Sequence, residues 1–316
     1  MSESFLVTGG AGFIGSHLVA ALLERGDNVR VVDDFSTGKR ENLEGFLDRI
    51  ELIEGSLVEE EICRRAVEDV DFVLHEAALP SVARSVEDPV STNRANVEGT
   101  VQLLAAAKDA RVRRFVFAAS SSAYGEVEAP AKSEHLLPQP LSPYAVAKLT
   151  GEYYCHAFNA VYGLETISLR YFNVFGPNQD PSSPYSAVIP IFVTAALDGR
   201  SPTIFGDGHQ SRDFTYAANV VHANLLACRA PERAVGEVIN VACGRSTDLL
   251  TLLAMIGRIL GTTIEPQFAP LRPGDVRHSL ADLAKARELL DYEPLVSVEE
   301  GLERTIEWYR SNRGRW

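Results

Sequence analysis

The chain has 316 residues, of which 46% are hydrophobic, so it is long enough to bury a large core and to form two lobes. Its formal net charge of −13 at pH 7 argues against a nucleic acid or an anionic membrane surface as partner. The sequence has no apolar run of about 18 or more residues and no charged-then-apolar leader before the first predicted strand, so we expect a soluble, cytoplasmic protein.

The chain begins with a predicted strand, a glycine-rich turn and a helix. Phe5–Val7 is a short apolar run typical of a buried parallel strand, and Gly9, Gly12 and Gly15 follow it. The first glycine permits a tight turn, the second lets the backbone approach a pyrophosphate, and the third lets the helix pack close to the strand. The helix that follows, to about Glu24, would direct its first N–H groups at the phosphate.

An acidic residue ends the second predicted strand. Val29–Val32 forms that strand, and Asp33 follows it at the distance from the glycines that suits hydrogen bonds to an adenosine ribose. Asp33 and Asp34 together would repel a 2′-phosphate, so the pattern favours NAD over NADP.

Strands and helices then alternate, which predicts an α/β fold with a doubly wound parallel sheet. The predicted strands are Phe5–Thr8, Val29–Asp33, Ile50–Glu54, Phe72–His75, Phe115–Ala119 and Thr166–Tyr171, and the helices are 13–25, 59–68, 92–109 and 143–162. We expect a dinucleotide-binding domain over 1–173 with a return segment near 215–242. A smaller interleaved lobe over 174–214 and 243–316 would bind the substrate.

Chemical groups follow the strand ends, where ligands of open α/β sheets bind. His75–Leu79 follows the fourth strand with small alanines, and Ser120, Ser121 and Ser122 follow the fifth. Tyr144 and Lys148 are four residues apart on a predicted helix, so a phenol and an ammonium share one face. A cation there would lower the pKa of Tyr144 and make it an acid/base at neutral pH. The four cysteines lack a metal-site spacing or a disulfide framework, so we expect reduced thiols and no metal.

These motifs resemble the extended short-chain dehydrogenase/reductase family, and the downstream segments resemble its UDP-sugar 4-epimerases. The downstream segments are Arg170–Pro177, Gly206–Gly208, Ser211–Phe214 and Arg272–Asp275. The resemblance implies catalysis by Tyr144, Lys148 and the serine group Ser120, Ser121 and Ser122, with Ser120 favoured. It implies cofactor binding by Gly9, Gly12, Phe13, Ile14, Gly15, Asp33, Asp34, Phe35, Ser36, Gly38, Ser56, Leu57, Ala77, Ala78, Leu79, Asn96, Tyr144, Lys148, Tyr171 and Val174. It implies substrate binding by Ser81, Arg84, Ser122, Asn173, Val188, Phe205, Arg212, Arg272, Asp275 and Ser279.

The implied reaction is the inversion of carbon 4 of a UDP-hexose. Tyr144 would remove the 4-hydroxyl proton while hydride passes to tightly bound NAD, and hydride would then return to the opposite face of the 4-keto sugar. Arg212 and Arg272 would bind the diphosphate, because a forked guanidinium matches phosphate oxygens, and Asp275 would bind the uridine ribose. Ser279 occupies a place where some epimerases of the family carry tyrosine. The small residue predicts use of UDP-GlcNAc/UDP-GalNAc and also UDP-glucose/UDP-galactose.

Two features depart from the family pattern. Ser56 stands where many relatives carry an acid near the adenine, and Ser121–Ser122 lacks the acid that dehydratases carry, which disfavours dehydration. A UDP-glucuronate 4-epimerase or decarboxylase is an alternative, and a non-catalytic NAD sensor is a remote one. Relatives form a homodimer by pairing helices. The apolar positions of 92–109 and 143–162 fit pairing in a dimer and packing within one chain equally well. Examples are Val97, Val101, Leu104, Tyr153, Phe158 and Val161.

Overall fold

Seven parallel strands form the central sheet of the computed structural model, which describes residues 2–182, 187–270 and 277–315. The strands of the chain are β1 (Ser4–Thr8), β2 (Asn28–Asp33), β3 (Ile50–Glu54), β4 (Phe72–His75), β5 (Arg114–Ser120), β6 (Thr166–Tyr171), β7 (Val174–Phe175), β8 (Thr203–Phe205), β9 (Ser211–Asp213), β10 (Thr215–Tyr216), β11 (Val238–Val241), β12 (Ser246–Asp248) and β13 (Gln267–Ala269). The sheet has the order β11-β6-β5-β4-β1-β2-β3, and all of its pairs are parallel. The predicted doubly wound α/β fold is confirmed.

Helices cover both faces of this sheet, as parallel strands require. They are α1 (Phe13–Glu24), α2 (Glu60–Ala66), α3 (Val82–Glu87), α4 (Pro89–Asn93), α5 (Gly99–Asp109), α6 (Pro143–Tyr162), α7 (Val188–Leu197), α8 (Ala217–Arg229), α9 (Leu249–Leu260), α10 (Ala284–Leu290) and α11 (Val298–Ser311). A π-helical turn over Arg94–Glu98 joins α4 to α5. None of the helices in the described ranges combines the length and hydropathy needed to span a bilayer.

Helix α6 shows how local sequence fixes an element that positions the site. Ser142 precedes it and its hydroxyl accepts the Ala145 N–H at 3.2 Å, Pro143 occupies the first turn, and Gly163 ends it in the left-handed conformation. The helix therefore begins just before Tyr144 and places that residue in its first turn, beside the end of β5.

A third hydrophobic cluster lies apart from the two that cover the faces of the sheet. It is built from residues of α7, α9, α11 and the short strands, and Phe192, Leu252 and Leu302 are buried in it. Strand β11 returns to the main sheet and pairs with β6 from Val238↔Ser168 to Val241↔Tyr171. The domain boundaries at 173, 214 and 242 stay a prediction.

Candidate active site

The turn after β1 is shaped to accept a phosphate group. Gly9 has φ +66°, and a Cβ on it would lie 2.8 Å from the Ala77 backbone. A Cβ on Gly15 would lie 2.2 Å from the Gly9 carbonyl oxygen, so only glycine allows α1 to pack this closely. A Cβ on Gly12 would meet only that same oxygen, at 3.0 Å, so the space above Gly12 is otherwise open.

The first turn of α1 has N–H groups to offer to that space. Gly12 caps the helix without a side-chain hydrogen bond, and the first turn, which contains Phe13 and Ile14, has no acidic residue. An anion at this helix end would therefore be favoured by the helix dipole and the exposed N–H groups. The glycine-rich turn and the helix end together fit the pyrophosphate of a dinucleotide.

Asp33 ties the second strand to the glycine-rich turn. Its carboxylate accepts the Ala11 N–H at 2.9 Å and the Phe35 N–H at 2.8 Å, and a Cβ on Gly38 would lie 2.8 Å from one of its oxygens. Burial raises the pKa of Asp33, and the two backbone N–H groups oppose that rise. A carboxylate has about four lone-pair sites, so acceptor capacity remains for a ribose hydroxyl.

Asp34 and Phe35, which follow Asp33, have different surroundings in the turn after β2. Asp34 is exposed, and one of its oxygens accepts both the N–H and the hydroxyl of Ser36 at 2.9 and 2.6 Å. Phe35 has φ +56° and lies under the Arg40 guanidinium, 4.1 Å from the ring centroid. Asp34 and Ser36 thus stabilise the turn for which contacts with the cofactor are predicted.

A buried histidine connects the ends of β1 and β4. His75 lies between Thr8 (Nδ1···Oγ1 2.8 Å) and Thr100 (Nε2···Oγ1 2.9 Å). Thr100 donates its own proton to the Asn96 carbonyl at 2.8 Å, so it must accept from Nε2–H, and Thr8 must donate to Nδ1. Burial and the charge of Lys148 lower the pKa of His75 to about 3, so the ring is neutral.

Asn96 continues this network to the loop after β4. Its side-chain oxygen accepts the Leu79 N–H at 2.7 Å, and its amide donates to the Leu79 carbonyl at 3.1 Å. The Asn96 amide therefore holds the loop by its backbone, and the predicted contact of Asn96 with the cofactor stays a prediction. Ala77, whose N–H reaches the Thr8 hydroxyl at 3.2 Å, is held against the Gly9 turn.

Three hydroxyl groups form a directed chain at the end of β5. The Ser122 hydroxyl and N–H donate to the Ser120 hydroxyl oxygen at 2.8 and 3.2 Å, and Ser120 is hydrogen-bonded to the Tyr144 phenol. Because Ser120 already accepts from Ser122, its own proton is directed to the Tyr144 oxygen, where it favours the phenolate. Ser120, the favoured serine, is the one that contacts Tyr144.

Lys148 lies in the same site and is held by the backbone of β5. Its ammonium donates to the Ala118 carbonyl at 2.7 Å and lies 5.1 Å from the centroid of the Phe117 ring. Burial, and next the charge of Glu76, give the phenol of Tyr144 a raised pKa of about 12, although Ser120 opposes the rise. The pKa of Tyr144 in the chain alone thus lies above its ordinary value and not below it, because burial raises it, and the expected effect of Lys148 on Tyr144 stays a prediction.

Glu76 is a site residue that the sequence reasoning missed. Tyr171 donates to its carboxylate at 2.7 Å, and the Asn224 amide donates to the Tyr171 oxygen at 2.8 Å. Burial raises the pKa of Glu76, and the Tyr171 hydrogen bond and the charge of Lys148 oppose the rise. The available signal was an acid directly after a buried strand, at the edge of the sheet where ligands bind.

The predicted substrate residues that the structure brings together line two adjoining cavities. Asn173, Val188 and Arg212 line one of about 230 Å³, and Val188 and Phe205 line a second of about 390 Å³. The Arg212 guanidinium is held by the carbonyls of Ser211 and Arg277 at 3.0 and 3.3 Å. Gln210 and Leu249 line both cavities and were missed, although Gln210 directly precedes the motif that contains Arg212.

Other predicted residues lie around these cavities or outside the described part of the chain. Val174 also lines the smaller cavity, Ser81 caps α3 by accepting the Arg84 N–H at 3.3 Å, and the side chain of Leu57 packs in the core. The Ser279 N–H pairs with the Ser211 carbonyl at 3.1 Å, next to Arg212. Ser56 and Ala78 are half-buried in loops, and Ser121 is half-buried at the start of a 3-10 helical turn, whereas Arg272 and Asp275 fall outside the described residues.

Comparisons with known proteins place this site in a family. A model of the NAD dependent epimerase/dehydratase family matches residues 5–242. The chain belongs to this family. The predicted resemblance and the predicted cofactor, NAD, are both confirmed.

Three solved structures illustrate the similarity of this family member to its relatives. A UDP-glucose 4-epimerase of Thermotoga maritima with UDP-glucose is 41% identical with a TM-score of 0.93, over 98% of this chain and 99% of that one. A UDP-N-acetylglucosamine 4-epimerase of Methanobrevibacter ruminantium in complex with UDP-N-acetylmuramic acid is 39% identical with a TM-score of 0.94, over 98% and 99%. A UDP-glucuronic acid 4-epimerase of Bacillus cereus in complex with UDP-glucuronic acid and NAD is 35% identical with a TM-score of 0.90, over 98% and 99%.

Proposed function

We propose that the protein is a UDP-sugar 4-epimerase that uses retained NAD and acts on UDP-GlcNAc/UDP-GalNAc as well as UDP-glucose/UDP-galactose. The observation that carries this proposal is the directed chain Ser122–Ser120–Tyr144 beside Lys148. This group lies at the carboxyl ends of the strands, where the glycine-rich turn also lies. Such a chain can take a proton from a sugar hydroxyl and later return it.

One group of residues would bind the cofactor, and another would act on the 4-hydroxyl of the sugar. NAD supplies the hydride acceptor and donor, and the glycine-rich turn, Asp33 and Lys148 would hold it. Tyr144 would hold or release the proton of the 4-hydroxyl oxygen, and Ser120 would stabilise the resulting charge by donating to it. The nucleotide would supply most of the binding energy, so that the hexose is free to turn between the two hydride transfers.

The two adjoining cavities support a nucleotide diphosphate as the remote part of the substrate. Arg212 is fixed by two backbone carbonyls at the smaller cavity, and a guanidinium there suits a diphosphate. Val188 and Phe205 line the larger cavity, whose volume of about 390 Å³ is in the range of small-molecule sites. We assign uridine to that cavity, with Arg272 and Asp275 as further contacts predicted from the sequence.

The central experiment is turnover without added cofactor. Purified protein is incubated separately with UDP-GlcNAc, UDP-glucose and UDP-glucuronate, and the 4-epimers are quantified by chromatography. We expect epimerisation of the first two, whereas carbon dioxide release from UDP-glucuronate would indicate a decarboxylase and unchanged sugars a sensor. Tyr144→Phe should lower kcat by roughly 10²–10⁴-fold with NAD still bound, because it removes an acid/base. Tyr162→Phe, an exposed position at the end of the same helix, is the control and should retain activity.

The N-acetyl specificity is tested at Ser279. The serine is half-buried next to the segment that contains Arg212, so a bulky side chain there would crowd the sugar. Ser279→Tyr should lose kcat/KM for UDP-GlcNAc and keep it for UDP-glucose, and Ser279→Ala should keep both. Equal loss of both substrates in Ser279→Tyr would refute the assignment of Ser279 as a size filter.

We also propose a homodimer through the predicted helices 92–109 and 143–162, where α4, the π-helical turn and α5 pack against α6. Val90 and Val161 are 76% and 70% exposed, and Tyr153 is also exposed, whereas Leu104 and Phe158 are buried within the chain. Exposed apolar side chains grouped on neighbouring helices favour a protein partner. Light scattering should give twice the chain mass of 34.5 kDa, and Val161→Glu should give the monomer mass. A monomeric parent would refute the dimer.

A cytoplasmic location is proposed on the state of the cysteines. All four are free and three are buried, which is typical of proteins that stay in a reducing compartment. Fractionation of cells that express the full chain should recover it with cytoplasmic markers.

A further inference from the structure

Asp213 is a buried acid whose carboxylate bonds to backbone N–H groups from two distant segments. The residue is fully buried. One of its oxygens accepts the Cys243 N–H at 3.0 Å. The other accepts the Gly244 N–H at 3.0 Å and the Ala281 N–H at 3.2 Å. Cys243 and Gly244 follow β11 of the main sheet, whereas Ala281 ends the segment 277–281. Because Asp213 itself ends β9, its carboxylate joins three parts of the chain.

An ionised carboxyl group suits this position, because it accepts hydrogen bonds on both oxygens and donates none. Burial raises the pKa of Asp213 to about 6 although the backbone N–H groups oppose the rise, so the carboxylate is the main form at pH 7 and above. In Asp213→Asn one oxygen is replaced by an NH2 group, which has no lone pair to offer. Whichever way the amide is turned, it would face at least one of the three backbone N–H groups.

The segment 277–281 lies along β9 and fixes the side chain of Arg212. The Arg277 carbonyl accepts the Ser211 N–H at 2.9 Å and the Arg212 guanidinium at 3.3 Å. The Ser211 carbonyl accepts the Ser279 N–H at 3.1 Å and the same guanidinium at 3.0 Å. Since one carbonyl belongs to β9 and the other to 277–281, the position of the guanidinium depends on how these two segments are placed against each other.

Asp213 completes this pairing through its side chain. Two residues beyond Ser279, the Ala281 N–H bonds to the Asp213 carboxylate. The Asp213 carbonyl accepts the side-chain amide of Asn173 at 3.2 Å. Three predicted substrate residues, Arg212, Ser279 and Asn173, therefore lie within two residues of Asp213 or of a group bonded to it.

We propose that Asp213 is a positioning residue for the substrate diphosphate: its carboxylate holds the segment 277–281 against β9 and the end of β11, and thereby fixes the Arg212 guanidinium. This inference rests on the proposed function, which assigns Arg212 to the diphosphate, and deepens it. A guanidinium donates in fixed directions within its plane, so a shift of its carbonyl partners would spoil its match to phosphate oxygens. Asp213 is fully buried and acts only through Arg212.

The test is a double-mutant cycle that measures ligand binding. Titration calorimetry gives the Kd of UDP for the parent, Asp213→Asn, Arg212→Ala and the double variant. Ligand-observed NMR gives the Kd of uridine, which lacks the diphosphate. Asp71→Asn is the matched control, because Asp71 also accepts a backbone N–H, that of Ser4 at 2.9 Å, but at the amino ends of the strands, away from the site. Circular dichroism and gel filtration check that each variant is folded.

We expect Arg212→Ala to raise the Kd of UDP by roughly 10–100-fold, the range of a hydrogen bond to a charged group, and Asp213→Asn to raise it by about tenfold. Neither should change the Kd of uridine. The double variant should bind UDP no more weakly than Arg212→Ala, because Asp213 acts through that residue. Asp71→Asn should bind both ligands like the parent.

Three results of the cycle would overturn the proposal. They are an unchanged Kd of UDP in folded Asp213→Asn, additive losses in the double variant, and equal losses for UDP and uridine in Asp213→Asn. The last two are what a general structural role of Asp213 would produce.

A second variant covers the case in which Asp213→Asn does not fold. Ala281→Pro removes the one N–H that Asp213 accepts from 277–281 and leaves the carboxylate in place. The neighbouring bridge to Lys132 uses the Leu280 carbonyl and the Asp282 N–H, so it does not need the Ala281 N–H. Ala281→Pro should also weaken the binding of UDP and not of uridine. Unchanged binding of UDP to the folded variant would refute the positioning role.

The binding measurements separate this inference from the proposed function. A parent that binds UDP but converts no UDP-sugar would refute the epimerase, and the cycle would still decide the role of Asp213. If Arg212→Ala binds UDP as tightly as the parent, or the parent binds no UDP, both the diphosphate assignment and the role of Asp213 are refuted.

Discussion

Replacing Thr100 by valine should destabilise the protein more than the same change elsewhere, because Thr100 has two hydrogen-bond partners in the core. Its hydroxyl donates to the Asn96 carbonyl at 2.8 Å and accepts the His75 ring N–H at 2.9 Å. Thr305 is a matched control, since it is equally buried at 1% exposure and donates to a carbonyl one turn earlier without a ring N–H to accept. Valine has nearly the shape of threonine, so the packing changes little.

The expected magnitude follows from what each substitution leaves unpaired. Thr100→Val buries an unsatisfied His75 N–H, which costs about 1–3 kcal/mol, whereas Thr305→Val removes only a helix back-bond and should cost less than about 1 kcal/mol. The free energy of unfolding is measured in urea for the parent and both variants. Equal losses would show that His75 does not donate to Thr100 and would refute the deduced tautomer.

Three other perturbations test separate parts of the structure. Gly15→Ala places a Cβ 2.2 Å from a backbone oxygen, so it should lower the free energy of unfolding by about 1–3 kcal/mol and lower the amount of NAD retained through gel filtration. Gly45→Ala, whose Cβ would have no atom within 4 Å, is the control and should change neither quantity. Full NAD retention in Gly15→Ala would contradict the turn geometry. Burial lowers the pKa of His75 from 6.5 to about 3. As the pH falls through this window, the unfolded chain binds a proton before the folded chain does, so each pH unit removes about 1.4 kcal/mol of the free energy of unfolding. His75→Gln should lose this pH dependence, and equal pH dependences of the variant and the parent would contradict the lowered pKa. Glu152→Gln leaves the Arg170 guanidinium buried without its bidentate partner and should cost about 3–5 kcal/mol in urea unfolding, whereas a loss below about 1 kcal/mol would show that the pair adds little.

The strands of the main sheet could be predicted from sequence because each is a short apolar run bounded by turn residues. The predicted Val29–Asp33 becomes Asn28–Asp33, and Phe115–Ala119 becomes Arg114–Ser120, so the ends moved by one residue. The short strands were beyond such reasoning. Val174–Phe175 pairs with Thr215–Tyr216, and a strand of two residues has no periodicity to read.

Site residues that belong to one short sequence motif could be predicted. A site residue whose partners come from distant segments of the chain was missed. Ser120 and Tyr144 belong to patterns that a reader of the sequence can find. Glu76 accepts a hydrogen bond from Tyr171, 95 residues away, which in turn accepts one from Asn224, a further 53 residues on, so local sequence does not reveal these contacts. The pKa of Tyr144 also depended on burial, which the spacing of Tyr144 and Lys148 does not reveal.

Two directed chains of donors meet at this site, and their directions have a common consequence. Ser122 donates to Ser120 and Ser120 to Tyr144, while Tyr171 donates to Glu76. Both chains end on oxygens that accept hydrogen bonds better when negatively charged, so these donors favour the ionised forms, although burial still raises the pKa of Tyr144 and of Glu76. A buried site with that preference needs positive charge from within or from a ligand, because uncompensated charges are costly away from water. Lys148 supplies one positive charge, and the oxidised form of the family's cofactor would supply a second, whereas its reduced form would not.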